Sequence, residues 1–258
     1  MSDRIIDSHI HLDMYRQKER LEILSELDFA QVKALICVSN HLKSSKETLR
    51  LAHEDSRIKP AFGFHPEQAL PTDYEAAELL TFIEQNQHEM IAIGEVGLPY
   101  YLRQDNKGVS LDGYVELLET FVQKAAALGK PIILHAIYED APIACDLLEK
   151  YSVPDAHFHW FKGDSQTIER MAKNSYSISV TPDVLYEKEI QDLVRAYPLS
   201  RMMVETDGPW PFEGIFKGSM THPGMIHKSL EKIAELKKVS AAYVYSKIYE
   251  NTCRFYKL

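Results

Sequence analysis

Two histidines that could bind a metal ion, His9 and His11, stand at the end of an apolar, strand-like run that begins at Ile5. Alternate side chains of a β-strand point to the same side, so both imidazoles can reach one point. A histidine pair of this kind is as typical of an ordinary polar network as of a metal site. The positions of the other candidate ligands therefore decide between the two interpretations.

Metal-compatible side chains also follow five other short apolar runs. They are His65, Glu95, His135, His159 and Asp207. Imidazole nitrogens and carboxylate oxygens are common donors to divalent metals in proteins. Such residues come together in an architecture that places the C-terminal end of every strand on one face. The pattern therefore favours a metal site at that face of a parallel barrel.

The alternation of strands and helices predicts a (β/α)8 fold, the TIM barrel. We expect strands at residues 5–9, 32–38, 59–64, 90–94, 131–135, 155–159, 175–180 and 202–206. Helical spacing of apolar residues is found at 17–27, 44–55, 72–87, 111–128, 140–151, 166–174, 184–197 and 225–236. Eight such units require parallel strands with right-handed crossovers and favour closure over an open sheet. A further helix at 241–256 is predicted to pack outside the barrel or over its base.

Length and composition predict a single domain over residues 1–258. The chain is 45% hydrophobic, and its 258 residues are close to the roughly 250 usual for this barrel. We expect no membrane attachment, because the sequence has neither a signal-like segment nor an apolar run of about 18 residues. Cys37, Cys145 and Cys253 lack C-x-x-C spacing and are typical of buried thiols. These features predict a cytoplasmic protein.

The formal net charge of -9 disfavours general binding of a long polyanion. It does not exclude such a substrate, because bound cations would offset part of the acidity. Lys162, Arg103 and Lys217 fall in loops expected on the ligand-bearing face. Taken alone, each is more typical of an ordinary solvated charge than of a substrate contact.

The order of the motifs along the whole chain resembles that of the TatD family of metal-dependent hydrolases, within the amidohydrolase superfamily. The matching segments are IDSHIHLD at 6–13, GFHP at 63–66, AIGEVGL at 92–98, PIILH at 131–135, HWFKG at 159–163 and VETDGP at 204–209. The tail YENTCRFY at 249–256 resembles the closing Asn-x-x-Arg-Phe helix of that family.

The resemblance implies a centre with two divalent metal ions. One ion would be held by His9, His11 and Asp207, and the second by His135 and His159. Glu95 would bridge them and serve catalysis, because a carboxylate offers two oxygens. This donor set suits zinc, manganese or nickel and leaves magnesium possible.

The resemblance also implies roles around that centre. Asp207 would be the general base and later the proton donor, while two cations activate the attacking water. His65 would contact substrate or phosphate. Glu205 would orient a ligand or water, or would be a satisfied polar group inside the barrel. His157 competes with His159 for the sixth-strand role; the family pattern favours His159 and leaves His157 to an interior hydrogen bond.

Three functions from different classes remain open at this point. The first is a TatD-like phosphodiesterase or nuclease; the second is a hydrolase of a small or acyl substrate such as a lactone, an amide or an aminoacyl-tRNA ester. The third is a catalytically silent metal-binding partner subunit. Two positions depart from the family pattern: Pro99 replaces the usual acidic residue, and the loop KGSMTHP at 217–223 is less basic than usual. Nucleic acid and a small ester therefore both remain possible substrates. A monomer or small homo-oligomer is expected.

No G-x-S-x-G elbow, Walker loop or glycine-rich dinucleotide turn occurs in the sequence. Acyl transfer through a serine elbow, nucleoside-triphosphate hydrolysis and Rossmann redox chemistry therefore lack support.

Overall fold

The computed structural model describes residues 3–258, and their eight apolar runs form parallel strands. The strands are β1 Ile5–Ile10, β2 Val32–Cys37, β3 Ile58–Phe62, β4 Ala92–Gly97, β5 Ile132–His135, β6 Ala156–Phe158, β7 Ser177–Val180 and β8 Met202–Val204. Most of their residues are buried on both faces, as expected when a parallel sheet is covered by helices.

The strands neighbour one another in chain order from β1 to β8. The two ends of this order also meet. The backbone N–H of Asp207 donates to the carbonyl of His9 (2.9 Å), and the N–H of His11 donates to the carbonyl of Gly208 (2.8 Å). The predicted single-domain (β/α)8 barrel is therefore confirmed.

Helices connect successive strands and cover the barrel. They are α1 Gln17–Glu26, α2 Leu42–Glu54, α3 Asp73–Gln85, α4 Tyr100–Asp105, α5 Asp112–Leu128, α6 Asp140–Lys150, α7 Ser165–Lys173, α8 Lys188–Ala196, α9 Ile226–Lys237 and α10 Ala241–Tyr256. Short 3-10 turns occur at Leu12–Met14, Pro182–Leu185, Leu199–Arg201, Gly214–Phe216 and Pro223–Met225. The sequence did not predict α4, and the predicted helix at 184–197 is a 3-10 turn followed by α8.

Two apolar clusters hold this arrangement together. The larger lies between the strands and the helices, and the smaller is formed by strand residues such as Ile6, Ile36 and Ile133. Phe255 and Tyr256, at the end of α10, belong to the smaller cluster. The C-terminal helix thus contributes to the smaller core, and Nδ2 of its Asn251 donates to the carbonyls of Leu199 and Met202. No helix within residues 3–258 is long and apolar enough to cross a membrane.

Candidate metal centre

Six side chains from five strands and their following loops meet at the C-terminal face of the barrel. His9 lies in β1 and His11 just beyond it, Glu95 lies in β4, His135 ends β5, and His159 and Asp207 follow β6 and β8. None of the six is more than 5% exposed. The structure therefore brings together every residue that the resemblance named as a metal ligand.

The first oxygen of Glu95, Oε2, faces the two histidines of β1. It lies 3.1 Å from Nε2 of His9 and 3.1 Å from Nε2 of His11. Asp207 completes this group, because its Oδ1 lies 3.4 Å from Nε2 of His9 and 3.6 Å from Nε2 of His11. Asp207 has a φ of 50°, a left-handed conformation that aspartate adopts more readily than most residues.

The other oxygen of Glu95, Oε1, faces a second pair of histidines. It lies 3.1 Å from Nδ1 of His135 and 2.7 Å from Nε2 of His159. Those two nitrogens are 3.1 Å apart. Glu95 thus stands between two groups of donors, one on each of its carboxylate oxygens.

This donor set fits two divalent cations. Atoms bound to the same ion at about 2.0–2.2 Å lie roughly 3–3.5 Å apart. The distances between donor atoms given above for the two groups run from 2.7 to 3.6 Å and are close to that spacing. Both oxygens of Glu95 and Oδ1 of Asp207 are buried and have no hydrogen-bond partner among the described residues. Buried polar atoms are rarely left without a partner, so a cation on each side of Glu95 explains their convergence.

The charges of the site respond to one another and to burial. Burial alone would raise the pKa of Glu95, but His159, His65 and His9 hold that pKa well below its ordinary value. Burial raises the pKa of Asp207 to about 7. Burial lowers the pKa of His9 well below its ordinary value. An ionised Glu95 and a neutral His9 suit metal binding, whereas the neighbouring carboxylates raise the pKa of His11, His135 and His159, so a bound cation would displace protons from these three rings.

Glu205, two residues before Asp207, contacts the segment that carries the metal-ligand candidate His159. Its Oε1 accepts the backbone N–H of Trp160 (2.8 Å), its Oε2 accepts the hydroxyl of Ser179, and Nδ1 of His159 is 3.7 Å from Oε1. Trp160 has a φ of 40°, which is unusual for a large side chain. Glu205 is therefore a satisfied buried carboxylate that also anchors the backbone next to His159.

His157 lies outside the donor set. Its Nε2 is 2.6 Å from the hydroxyl of Ser179 and its Nδ1 is 2.8 Å from the hydroxyl of Tyr256. These contacts match the interior hydrogen bond that the sequence left to His157, and His159 occupies the position beside Glu95.

His65 lies at the edge of the centre with Nε2 3.4 Å from Oε1 of Glu95. Its Nδ1 accepts the backbone N–H of Glu67 (3.1 Å), and burial lowers its pKa to about 3. The neutral ring must then carry its proton on Nε2, because Nδ1 is an acceptor. His65 therefore presents an N–H to the site, which suits an oxygen of a substrate better than a metal ion.

Sequence reasoning missed Glu67. Its Oε1 lies 3.1 Å from Nε2 of His135, and its carboxylate accepts the backbone N–H groups of Tyr101 (2.8 Å) and Leu102 (2.6 Å). The one available signal in the sequence was the position of Glu67 in the loop after β3, two residues beyond the candidate site residue His65.

The basic residues expected at this face are mostly committed to other partners. Arg103 pairs with the buried Asp140, and Lys217 pairs with Glu213 at 2.9 Å. The ammonium of Lys162 lies 4.7 Å from the ring centroid of Trp160. Of the three cations, Arg103 and Lys217 are thus paired with carboxylates, whereas Lys162 lies against the ring of Trp160.

A cleft of about 260 Å³ opens beside the centre. It is lined by His11, Met14, Asn40, His41, His65, Glu67, Gln68 and Trp210. Trp210 is 53% exposed, so its ring is available to a ligand. His41 also caps the N-terminus of α2, because its Nδ1 accepts the backbone N–H of Ser44. The cleft combines an exposed aromatic face with polar side chains next to the donor set.

Comparison with known proteins agrees with this site. A family model described as TatD related DNase matches residues 6–257. An uncharacterized metal-dependent hydrolase of Haemophilus influenzae is 36% identical over 255 residues, which cover 98% of this chain and 100% of the relative. The deoxyribonuclease TATDN3 of Homo sapiens is 26% identical, with 98% of this chain and 94% of the relative covered. The TatD homologue YJJV of Escherichia coli K12 has the same fold, with a TM-score of 0.83, 24% identity and 100% coverage of both chains.

The barrel, the buried donor set and these relatives together define a metal-dependent hydrolase. The chain belongs to the TatD-related DNase family.

Loss of single ligands is expected to separate the two groups of donors. His135→Ala should weaken the ion on the Oε1 side of Glu95 and leave the other ion bound, whereas His11→Ala should do the reverse, because the two groups share Glu95 alone. Elemental analysis and metal titration of both variants measure this. His227→Gln is a matched control, since His227 contacts Tyr245 and Ala30 and should leave two ions bound. Complete loss of metal in both ligand variants would contradict two separable sites.

Proposed function

We propose that this protein is a divalent-metal-dependent phosphodiesterase that cleaves nucleic acid with a water activated at a two-ion centre. The observation that carries the proposal is the division of the donor set by Glu95, which offers one oxygen to each group. A pair of cations that shares one carboxylate is a common arrangement in enzymes that cleave phosphate esters. The metal is zinc, manganese, nickel or magnesium, as the nitrogen and oxygen donors allow.

The preference for nucleic acid as substrate draws on the family and its members. The family description names a DNase, and the human relative is named a deoxyribonuclease. The exposed ring of Trp210 at the cleft offers a surface on which a base can stack.

Each residue of the centre has a distinct task in this reaction. Bound divalent cations lower the pKa of water and stabilise negative charge on the scissile phosphoryl group. Asp207 takes the proton of the attacking water and returns it to the leaving oxygen, since its carboxylate lies at the edge of the donor set. Glu95 fixes the spacing of the two groups of donors, because each of its oxygens faces one group. His65 donates its Nε2–H to an oxygen of the substrate.

His65→Ala is expected to raise KM several-fold with little change in kcat. The imidazole binds substrate in the ground state and the transition state alike, and such uniform binding does not alter the chemical step. Steady-state kinetics on a phosphodiester, with metal content measured on the same samples, tests this. A kcat that falls as steeply as kcat/KM would instead place His65 in the chemical step.

The second candidate function is hydrolysis of a small or acyl ester. The pairing of Arg103 with Asp140 and of Lys217 with Glu213 favours it, because neither of these cations is then free to hold a polyanion. The small volume of the cleft also suits a compact substrate.

One screen separates the two candidates. Metal-loaded protein is incubated with end-labelled single-stranded DNA, bis(p-nitrophenyl) phosphate and a lactone, each with and without EDTA. We expect metal-dependent cleavage of the phosphodiesters. The Asp207→Asn protein, purified in parallel, controls for contaminating nuclease and should cleave about 10²- to 10⁴-fold more slowly. Lactone turnover without phosphodiester cleavage would replace the proposed function by the second candidate.

A further inference from the structure

The Glu67 carboxylate connects the donor set to helix α4. One of its oxygens, Oε1, lies 3.1 Å from Nε2 of His135 and accepts the N–H of Tyr101, and its other oxygen accepts the N–H of Leu102. These two N–H groups belong to the first turn of α4. The side chain of Glu67 is 14% exposed, so the contacts are partly shielded from water.

The contact with His135 decides which ring nitrogen faces the centre. A carboxylate accepts hydrogen bonds and cannot donate them, so Nε2 of His135 must carry a proton. In the neutral ring that a metal ligand must have, Nδ1 is then left with the lone pair, and it lies 3.1 Å from both Oε1 of Glu95 and Nε2 of His159. Carboxylate partners of this kind fix the tautomer and orientation of metal-binding histidines.

The contacts with α4 give the same residue a second partner. A helix of six residues is too short to be stable alone, because helix nucleation is costly. The ring of Tyr101 lies 6.3 Å from the ring of His135 and 6.2 Å from that of Trp160, measured between centroids. The helix therefore places an aromatic side chain beside His135, one of the second group of donors.

We propose that Glu67 is a positioning residue that holds His135 with Nδ1 towards the metal centre and couples binding of the second ion to the order of α4. This proposal rests on the two-ion centre proposed above. Binding of that ion restrains His135, His135 restrains Glu67, and Glu67 restrains the first turn of the helix. The first turn of α4, with Tyr101, is thus better ordered when the centre is fully loaded.

The test is Glu67→Gln. In one rotamer, the glutamine oxygen accepts hydrogen bonds from His135 and Tyr101, but its amide N–H2 then faces the N–H of Leu102, a second donor. In the opposite rotamer, the amide N–H2 donates to Nε2 of His135 and favours the tautomer with its proton on Nδ1. We expect the affinity for the second zinc ion to fall about 10- to 100-fold while the first ion binds as in the wild type. In wild-type protein, addition of the second equivalent of zinc should slow hydrogen exchange in residues 100–105, and this response should disappear in the variant.

Glu75→Gln is the matched control. Glu75 also accepts a backbone N–H at the start of a helix, that of Thr72, but has no histidine partner, so this variant should bind two ions normally. A measurement on wild-type protein guards against misfolding of the variant: histidine-selective 15N spectra of the zinc-loaded protein should show His135 protonated at Nε2. Equal affinities in Glu67→Gln, or a metal-bound Nε2, would overturn the positioning role. Failure of wild-type protein to bind two ions would instead overturn the two-ion centre.

Discussion

Asp207→Asn is expected to lower kcat by about 10²- to 10⁴-fold while most of the bound metal is retained. Asparagine preserves the shape of the side chain and one coordinating oxygen, but it cannot accept the proton of the attacking water. Oδ1 of Asp207 lies 3.4 Å from Nε2 of His9, so this residue belongs to the donor set, and the proposed function makes it the general base as well. The measurement is steady-state kinetics on a phosphodiester with elemental analysis of the same samples.

Asp207→Ala separates the two roles of this side chain. Alanine removes the coordinating oxygen as well as the base, so its metal content should fall below that of Asp207→Asn. Asp207→Asn with near-wild-type kcat at full metal occupancy would show that another group takes the proton, and Glu205, two residues earlier, would become the better candidate.

Glu95→Gln is expected to abolish activity and to weaken both ions. Removal of one partner from a buried ionic pair costs about 3–5 kcal/mol, which corresponds to roughly 10²- to 10⁴-fold in affinity. The effect should reach both ions, because Oε2 faces His9 and His11 while Oε1 faces His135 and His159. Metal titration with zinc or manganese measures it.

Asp183→Asn is a suitable control for the loss of a buried carboxylate. Asp183 accepts the indole N–H of Trp160 at 2.6 Å and lies outside the donor set, so two ions should still bind. Glu95→Gln with one ion at full affinity and the other lost would show that the glutamate serves one ion and does not bridge.

Much of the barrel could be predicted because local pattern and fold agree. Each strand contains a short apolar run, and each candidate ligand lies in the second half of its strand, as His9 and Glu95 do, ends it, as His135 does in β5, or follows it. Parallel strands share one C-terminal face, so the fold itself brings distant residues such as His9 and Asp207 together. The placement of the donor set therefore needed no information on contacts.

The features that could not be predicted depend on neighbours distant in sequence. The predicted fourth strand stopped at Gly94, yet β4 continues to Gly97. A Cβ on Gly97 would lie 1.9 Å from the carbonyl oxygen of His135, so this glycine permits close approach of β5 and does not mark a turn. Helix α4 is too short for helical periodicity to be visible, and Glu67, which precedes its first residue by more than 30 positions, satisfies its first turn.

The charge that is available to a substrate at the C-terminal face of the barrel is a further property that composition could not predict. Arg103 and Lys217 lie in the predicted region, but each has an acidic partner in the structure. Availability of a cation depends on its neighbours, and those pairings are visible only after folding.

The most direct test of the two-ion centre is a crystal structure of zinc-loaded protein with anomalous data at the zinc edge. Two anomalous peaks are predicted on opposite sides of Glu95, one next to His9, His11 and Asp207 and the other next to His135 and His159. A single peak bound by residues from both groups, or no peak at these residues under saturating zinc, would contradict the central claim that Glu95 divides the donor set between two cations.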